Sequence, residues 1–299
     1  MRARRLAARL DAAALPEPVA SAWSALRRER AARRATGGRL RAAYPATADE
    51  LRASPLLREW WYYGVELLPG VFTEGHQPAV LPMLPRMLLR NCDVAGAACL
   101  DVGSMEGVVP VLLRKRGAEE VLAVDYSYAA AGRLAAVQHY HGVDFEFRSV
   151  GLMYELARRL RSRSFDLVNL SGVLYHVFSP LHLLAAVRPL MRRNGLLVVS
   201  TYATLDPLPV MDFNARGRMW AEGNTFWFPS VALLDYLLRY LRLEPVDCLF
   251  RRLEDMSGPA YGGLRIRRDF EKPAGYVSVV CRAVDSADGD AWIEESTGT

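Results

Sequence analysis

Two carboxylates and a glycine turn are the residues in this chain whose types and spacing can bind a nucleoside. The stretch Leu100-Asp101-Val102-Gly103-Ser104-Met105-Glu106-Gly107 stands where an apolar run over 98–102 gives way to a helical pattern over 108–116. Asp125 follows Asp101 by twenty-four residues and ends a second apolar run. In a doubly wound sheet such a strand-to-helix turn lies at the carboxyl edge, where ligands bind. Gly103 and Gly107 let the backbone come close to a ligand. Asp101 can accept a hydrogen bond from a cationic ligand, and Asp125 is placed to bind both hydroxyls of a ribose. Loop and acidic strand end together point to an adenosine ligand.

The dinucleotide fingerprint G-x-G-x-x-G seats a pyrophosphate on a helix N-terminus. Here the spacing is D-x-G-x-x-x-G, and Glu106 falls where phosphates would lie. A negative side chain there disfavours a pyrophosphate and suits a sulfonium or an ammonium. The balance favours S-adenosylmethionine over NAD.

The elements that must hold these groups alternate strand and helix. Strands are expected over 98–102, 121–125, 144–148, 165–170 and 196–201, the fourth apolar on both faces as buried parallel strands are. Helices are expected over 108–116, from after 125 to about 140, and over 181–191, with a turn at Asn194-Gly195. Strands separated by helices of this length imply βαβ crossovers. The expected fold is therefore α/β, a Rossmann-like, mostly parallel sheet with helices on both faces. After it come an irregular insert, a helix over 230–241 and two late strands, 244–251 and 275–284. Ahead of it, 1–53 reads as an arginine-rich helical head. Residues 54–95 read as an aromatic lead-in segment with an amphipathic helix over 78–91. The domain proper spans 96–284, with a substrate-covering insert at 205–228, and 285–299 is an acidic tail.

The 299 residues are 51% apolar and 24% charged, which excludes disorder as the dominant state. No apolar stretch reaches the roughly 18 residues of a membrane helix, and arginines interrupt the first ten residues, so a membrane partner and a secretion signal are not expected. Cys92, Cys99, Cys248 and Cys281 are scattered without a C-x-x-C pair. No metal site or disulfide framework is expected, and a reducing cytoplasm is the default location. Residues 1–41 hold eleven arginines against Asp11, Glu17 and Glu29, a net of 11 − 3 = +8, whereas 285–299 holds five acids and no base. A basic arm on a near-neutral body is compatible with RNA contact, although a solvated helix explains it as well.

Three stretches resemble a known family. They are Trp61-Tyr62-Tyr63-Gly64-Val65-Glu66-Leu67 through Thr73-Glu74-Gly75, Phe165-Asp166-Leu167-Val168 through Gly172-Val173-Leu174-Tyr175-His176-Val177-Phe178-Ser179-Pro180, and Phe226-Trp227-Phe228-Pro229-Ser230. The chain resembles class I S-adenosylmethionine-dependent methyltransferases. Within them it is similar to the group of wobble-uridine carboxymethoxylating tRNA methyltransferases and related small-molecule methyltransferases. The likeness covers roughly 55–284 and leaves out the head. It implies that Asp101, Gly103 and Gly107, with Ser104 and Met105 in the same loop, hold the methionine part of the cofactor. It gives Asp125 the ribose, and Leu152 and Met153 the flanks of the adenine. Ser171, with Tyr175 and His176 beyond it as the catalytic candidates, would face the methyl group. Thr73 and Gly75 would close the cofactor from the other side. The tRNA enzymes of this group use a carboxylated cofactor whose extra carboxylate pairs with a lysine upstream of the glycine loop. This chain has no lysine before Lys115, and Tyr63 stands at that place. A buried carboxylate without a cation is expensive, so ordinary S-adenosylmethionine is expected.

Asp212, Asn214, Glu222 and Asn224 lie in the insert among Phe213, Trp220, Phe226 and Trp227. An apolar wall with a few polar groups suits a small-molecule site, and the two acids favour a cationic amine or guanidine. The expected function is methyl transfer to nitrogen or oxygen of a small polar metabolite, with a tRNA wobble uridine as the alternative substrate. Self-association into a homo-oligomer stays compatible with the sequence.

Overall fold

The computed structural model describes residues 44–77, 80–126, 129–215, 224–256 and 272–285. The head through residue 43, the tail from 286, Glu222 and Trp220 lie outside the described residues. In chain order the elements are α1 (Ala48–Ala53), α2 (Pro55–Arg58), β1 (Trp61–Tyr63), β2 (Glu66–Leu68), β3 (Val71–Phe72), β4 (Gly75–Gln77) and α3 (Val80–Leu89). The central part follows as β5 (Ala98–Val102), α4 (Val108–Lys115), β6 (Glu120–Asp125), α5 (Ala131–His141), β7 (Glu146–Ser149), α6 (Leu156–Arg159), β8 (Phe165–Ser171), α7 (Pro180–Val187) and β9 (Met191–Thr204). The chain continues with β10 (Met211–Phe213), β11 (Trp227–Pro229), α8 (Val231–Tyr240), β12 (Leu243–Arg252) and β13 (Ala274–Ala283).

Seven strands form one sheet in the order β12-β13-β9-β8-β5-β6-β7. Strands β5 to β9 pair in parallel, whereas β13 runs antiparallel to β9 and β12 antiparallel to β13. From β5 the chain winds outward to β6 and β7, then returns to lay β8 and β9 on the other side. The winding therefore reverses between β5 and β8, and such a switch point opens a crevice at the carboxyl ends of the two strands. Every residue of β5 is buried, as is required of a central strand covered on both faces. Leu100, Leu122, Val168 and Val199 pack under one layer, and Cys99, Val121, Leu167 and Val198 under the other.

Two expectations need correction. The turn at Asn194-Gly195 does not precede the fifth strand but lies within it. Phe165 pairs with Met191 and Leu167 already with Leu196, so the residues between bulge out of register, with Asn194 at φ 59°. The insert is not wholly irregular, because β10 and β11 form an antiparallel hairpin pairing Met211 with Pro229 and Phe213 with Trp227.

Ser230 fixes how that hairpin joins α8. Fully buried, its hydroxyl accepts from Leu233 N at 3.0 Å as the helix N-cap, accepts from Val210 N at 3.1 Å and donates to the Leu208 carbonyl at 2.7 Å. Ser230→Ala removes the cap and the two further hydrogen bonds to Val210 N and the Leu208 carbonyl. It is expected to lower stability by about 1–3 kcal/mol, as measured by urea unfolding.

Candidate active site

The crevice at the switch point gathers most of the chemistry-bearing residues. Gly103 sits at φ 79° with its N–H donating to the Val124 carbonyl at 2.9 Å. A Cβ there would lie 2.5 Å from Val173 Cγ2, so the turn after β5 passes directly under the loop after β8. Gly107, at φ 77°, opens α4, and Met105 takes φ 43° between them. Ser104 Oγ lies 3.0 Å from the Asp101 carbonyl and 3.3 Å from that of Val124, tightening the turn.

Asp101 is buried at the end of β5, and burial pushes its carboxyl up to about 6 against the opposing donors Asn169 and Ser104. Asn169 Nδ2 donates to Asp101 Oδ1 at 2.7 Å. Ser171 Oγ donates to Asn169 Oδ1 at 2.7 Å and lies 3.1 Å from Ser200 Oγ, which is 2.7 Å from Ser278 Oγ. A chain of polar groups thus crosses four strands and ends on Asp101. Sequence reasoning missed Asn169, Ser200 and Ser278, whose one signal was a polar residue inside an otherwise apolar strand. Among the described residues, the donors found on Asp101 are an amide and a hydroxyl, neither of them a cation. A carboxylate so placed fits a ligand ammonium, which would supply the missing charge.

Asp125 is buried at the end of β6. Its Oδ1 accepts from Tyr126 N at 2.7 Å and its Oδ2 from Met105 N at 3.3 Å, which ties it to the glycine loop. The Val150 N–H donates to the Asp125 carbonyl at 2.8 Å and so brings the turn after β7 to the same edge. There Leu152 is 65% exposed at the rim, while Met153 is buried in the core layer. These positions make a ledge between a carboxylate and an exposed leucine, the surroundings that a ribose and a base require.

Glu106, expected to disfavour a pyrophosphate, is tied into the protein through one of its oxygens. It is fully buried, accepts from Tyr62 N at 2.9 Å and pairs with Arg133 Nε at 3.2 Å. Its Oε1 is thus turned to the lead-in segment and Arg133, while Oε2 is buried with no hydrogen-bond partner among the described residues. Thr73 and Gly75 lie in that segment. The Thr73 hydroxyl accepts from Val65 N at 2.9 Å and donates to the Tyr63 carbonyl at 3.2 Å. Gly75 pairs with Trp61 so closely that a Cβ would lie 2.1 Å from Gly64 N. Both residues hold the segment's shape, and Glu106 holds the segment to the glycine loop.

Beyond β8, Tyr175 is buried with its ring 4.8 Å from Tyr202, which lies 5.2 Å from Tyr276. A Cβ on Gly172 would meet Tyr175 Oη at 3.2 Å and Tyr276 Oη at 3.7 Å. Burial pushes the phenols of Tyr175, Tyr276 and Tyr63 upward, so they stay protonated. His176 is half-buried, its Nδ1 2.7 Å from the Asn224 carbonyl. The neighbouring Phe226 N–H donates to the Tyr175 carbonyl at 2.7 Å. The insert is thereby strapped to the loop after β8.

The expected substrate contacts in the insert fare differently. Asp212 is held by Lys272 Nζ at 2.9 and 3.0 Å, and Asp206 by the same ammonium at 3.0 Å. The single ammonium is shared between the two carboxylates, so the three groups together keep one negative charge. Asn214 is buried and donates from Nδ2 to the Thr225 carbonyl at 2.9 Å, inside the hairpin. Asn224 contributes its carbonyl to His176, and its side chain is exposed.

A mostly parallel sheet with this crevice, an acidic residue at each of two adjacent strand ends and a glycine turn is the architecture of class I S-adenosylmethionine-dependent methyltransferases. A family model described as a methyltransferase domain matches residues 74–240, and the chain belongs to that family. Its relatives include the tRNA U34 carboxymethyltransferase of Idiomarina loihiensis, 28% identical over 80% of this chain and 77% of that protein. The enzyme of the same name from Pseudomonas aeruginosa strain LESB58 is 30% identical over 53% of this chain and 48% of its own length. Among solved structures, the N-terminal domain of EvdMO1 with S-adenosylhomocysteine bound aligns at TM-score 0.54 and 20% identity, covering 81% of this chain and all of that one. The [4+2]-cyclase SpnF aligns at 0.51 and 18%, over 67% and 80%. A cyclase among the neighbours illustrates that the fold alone does not choose a reaction. The chain is an S-adenosylmethionine-dependent methyltransferase. None of its described helices is long and apolar enough to cross a membrane.

Proposed function

We propose that the chain methylates nitrogen or oxygen of a small molecule held between the loop after β8 and the hairpin β10–β11. The observation that carries this reading is the tyrosine cluster at the carboxyl edge. A carboxymethyl group brings a carboxylate that must be paired if it is buried. Tyr63 stands where the resemblance places a lysine, and burial, with Tyr62, Tyr276, the acid Glu106 and Tyr202 around it, pushes its hydroxyl upward. Such a pocket suits an uncharged methyl group and argues against the chemistry in the tRNA relatives' name.

When bound, the cofactor supplies a methyl group on a sulfonium sulfur. Asp101 would pair with its ammonium and Asp125 with its ribose hydroxyls. Leu152 would cover the adenine, and Tyr175 and His176 would face the acceptor. Thr73 and Gly75 would act by shaping the segment that closes the crevice. The proposed organisation keeps the head at 1–53 and the tail at 285–299 outside this machinery.

The test is calorimetry with S-adenosylhomocysteine, followed by turnover on small acceptors and on unmodified tRNA. The cofactor product is expected to bind, deletion of residues 1–41 is expected to leave that binding unchanged, and turnover is expected on small acceptors. The second reading, tRNA as substrate with the head as its RNA arm, draws on the relatives' names. It predicts RNA binding that weakens steeply with salt and is lost with the head.

A further inference from the structure

Three serines stand side by side in the middle of the sheet, where the strands are otherwise apolar. Ser171 of β8 is the register partner of Ser200 in β9, and Ser200 that of Ser278 in β13. Ser200 follows Leu197, Val198 and Val199, Ser278 lies between Val277 and Val279, and both serines are fully buried. An aliphatic side chain would bury more apolar surface at either position, and a buried hydroxyl costs free energy unless it is hydrogen-bonded. Side chains two apart on a strand share a face, so Asn169 lies beside Ser171. Asn169 is in turn the register partner of Asp101.

Counting hydrogens gives the row a direction. An ionised Asp101 only accepts, so the Asn169 Nδ2 group faces it at 2.7 Å and Oδ1 is turned the other way. That oxygen also only accepts, so the single hydrogen of Ser171 Oγ, 2.7 Å away, goes to Asn169. Ser171 then accepts from Ser200 at 3.1 Å, and Ser200 from Ser278 at 2.7 Å. Every bond in the row points toward Asp101, and hydrogen bonds aligned in this way strengthen one another. The Ser171 hydroxyl, which the resemblance turns toward the methyl group, is directed along the sheet instead.

We infer that Ser171, backed by Ser200 and Ser278, is a positioning residue for the cofactor's ammonium: its hydroxyl holds the Asn169 amide with Nδ2 toward Asp101 and so keeps the carboxylate ready as an anion. The inference rests on the assignment of that ammonium to Asp101 made above. Without the Ser171 hydrogen the amide is no longer held from that side. Turned over, it sets Oδ1 against the carboxylate, an acceptor against an acceptor, which favours the protonated acid. A protonated Asp101 has no charge to offer an ammonium. Ser200 and Ser278 act at one and two removes, through Ser171.

The experiment uses the full chain and two ligands, S-adenosylhomocysteine and its deamino counterpart, in which hydrogen replaces the amino group. Calorimetry reads both affinities and their ratio, and urea unfolding checks the fold of each variant. The parent protein is expected to bind S-adenosylhomocysteine at least about tenfold tighter than the deamino ligand, the scale of one charge-assisted contact. Ser171→Ala is expected to cut that preference about fivefold while leaving the deamino affinity within about twofold. Ser171→Thr, which keeps the hydroxyl, should retain the preference. Ser200→Ala should cut it by about two- to threefold and Ser278→Ala by less, following their order along the row. A serine that merely supported its strand would weaken both ligands alike. Equal weakening of both ligands in Ser171→Ala, or an unchanged preference in Ser200→Ala, overturns the inference, and the Ser200 variant decides it alone if Ser171→Ala does not fold. A parent protein that prefers neither ligand, or binds neither, sinks the assignment of the ammonium to Asp101 instead, so the two failures are distinguishable.

Discussion

Asp125→Ala is expected to weaken S-adenosylmethionine binding by about a hundredfold or more while leaving a folded protein. A ribose presents two hydroxyls, and each hydrogen bond to a charged acceptor contributes about 1.5–3 kcal/mol. Losing both costs about 3–6 kcal/mol, and every 1.4 kcal/mol is about tenfold in affinity. The same carboxylate also accepts from Met105 N and Tyr126 N, so part of the loss would come from a loosened glycine loop. Asp125→Asn separates the two contributions, because an amide oxygen can still accept from those N–H groups without the charge. Calorimetry on both variants, with thermal unfolding as a control for the fold, measures the effect. Unchanged affinity in the alanine variant would remove the ribose assignment and with it the order in which the cofactor lies along the crevice.

How much of this was legible in the sequence follows from the range of each interaction. Strands β5, β6 and β8 are buried on both faces, so they appear as short apolar runs, and a carboxylate at the end of such a run is conspicuous. Asp101 and Asp125 could be singled out for that reason. Strand β9 was harder, because Asn194-Gly195 reads as a turn whether it ends a helix or bulges out of a strand. The role of Glu106 could not be read from its place in the loop. Its partners, Tyr62 and Arg133, come from segments on either side that only the fold brings together. The same holds for Asp212, which shares Lys272, sixty residues later, with Asp206. Nothing in the local pattern of the insert announced that partner. Asn169, Ser200 and Ser278 escaped for a different reason: a lone polar residue in an apolar strand does not disturb its periodicity, and its meaning appears only when neighbouring strands align the hydroxyls.

The titration of Asp101 gives the second large effect. With its carboxyl pushed up to about 6 by burial, the cofactor-free protein holds a proton there below that pH. An ammonium needs the anion, so cofactor affinity should be level above about pH 6 and fall by up to about tenfold for each unit below it. The sign for stability runs the other way. The folded-state value lies above the unfolded one, so the folded protein binds the proton more tightly. Its stability is greatest below about pH 4 on this account and declines as pH rises toward 6, by on the order of 3 kcal/mol. Cofactor binding reverses that loss, since a ligand that binds only the folded state stabilises it. The rise in melting temperature caused by S-adenosylhomocysteine should therefore be larger at pH 7 than at pH 5. Asn169→Leu sharpens the test. Asn169 is the leading group that lowers the Asp101 value, so its loss should carry the break in the affinity profile to higher pH. A residue that merely supported the strand would lower affinity equally at every pH. A break left near pH 6 in Asn169→Leu, or no break in the parent protein, would show that Asp101 is not the group that receives the ammonium.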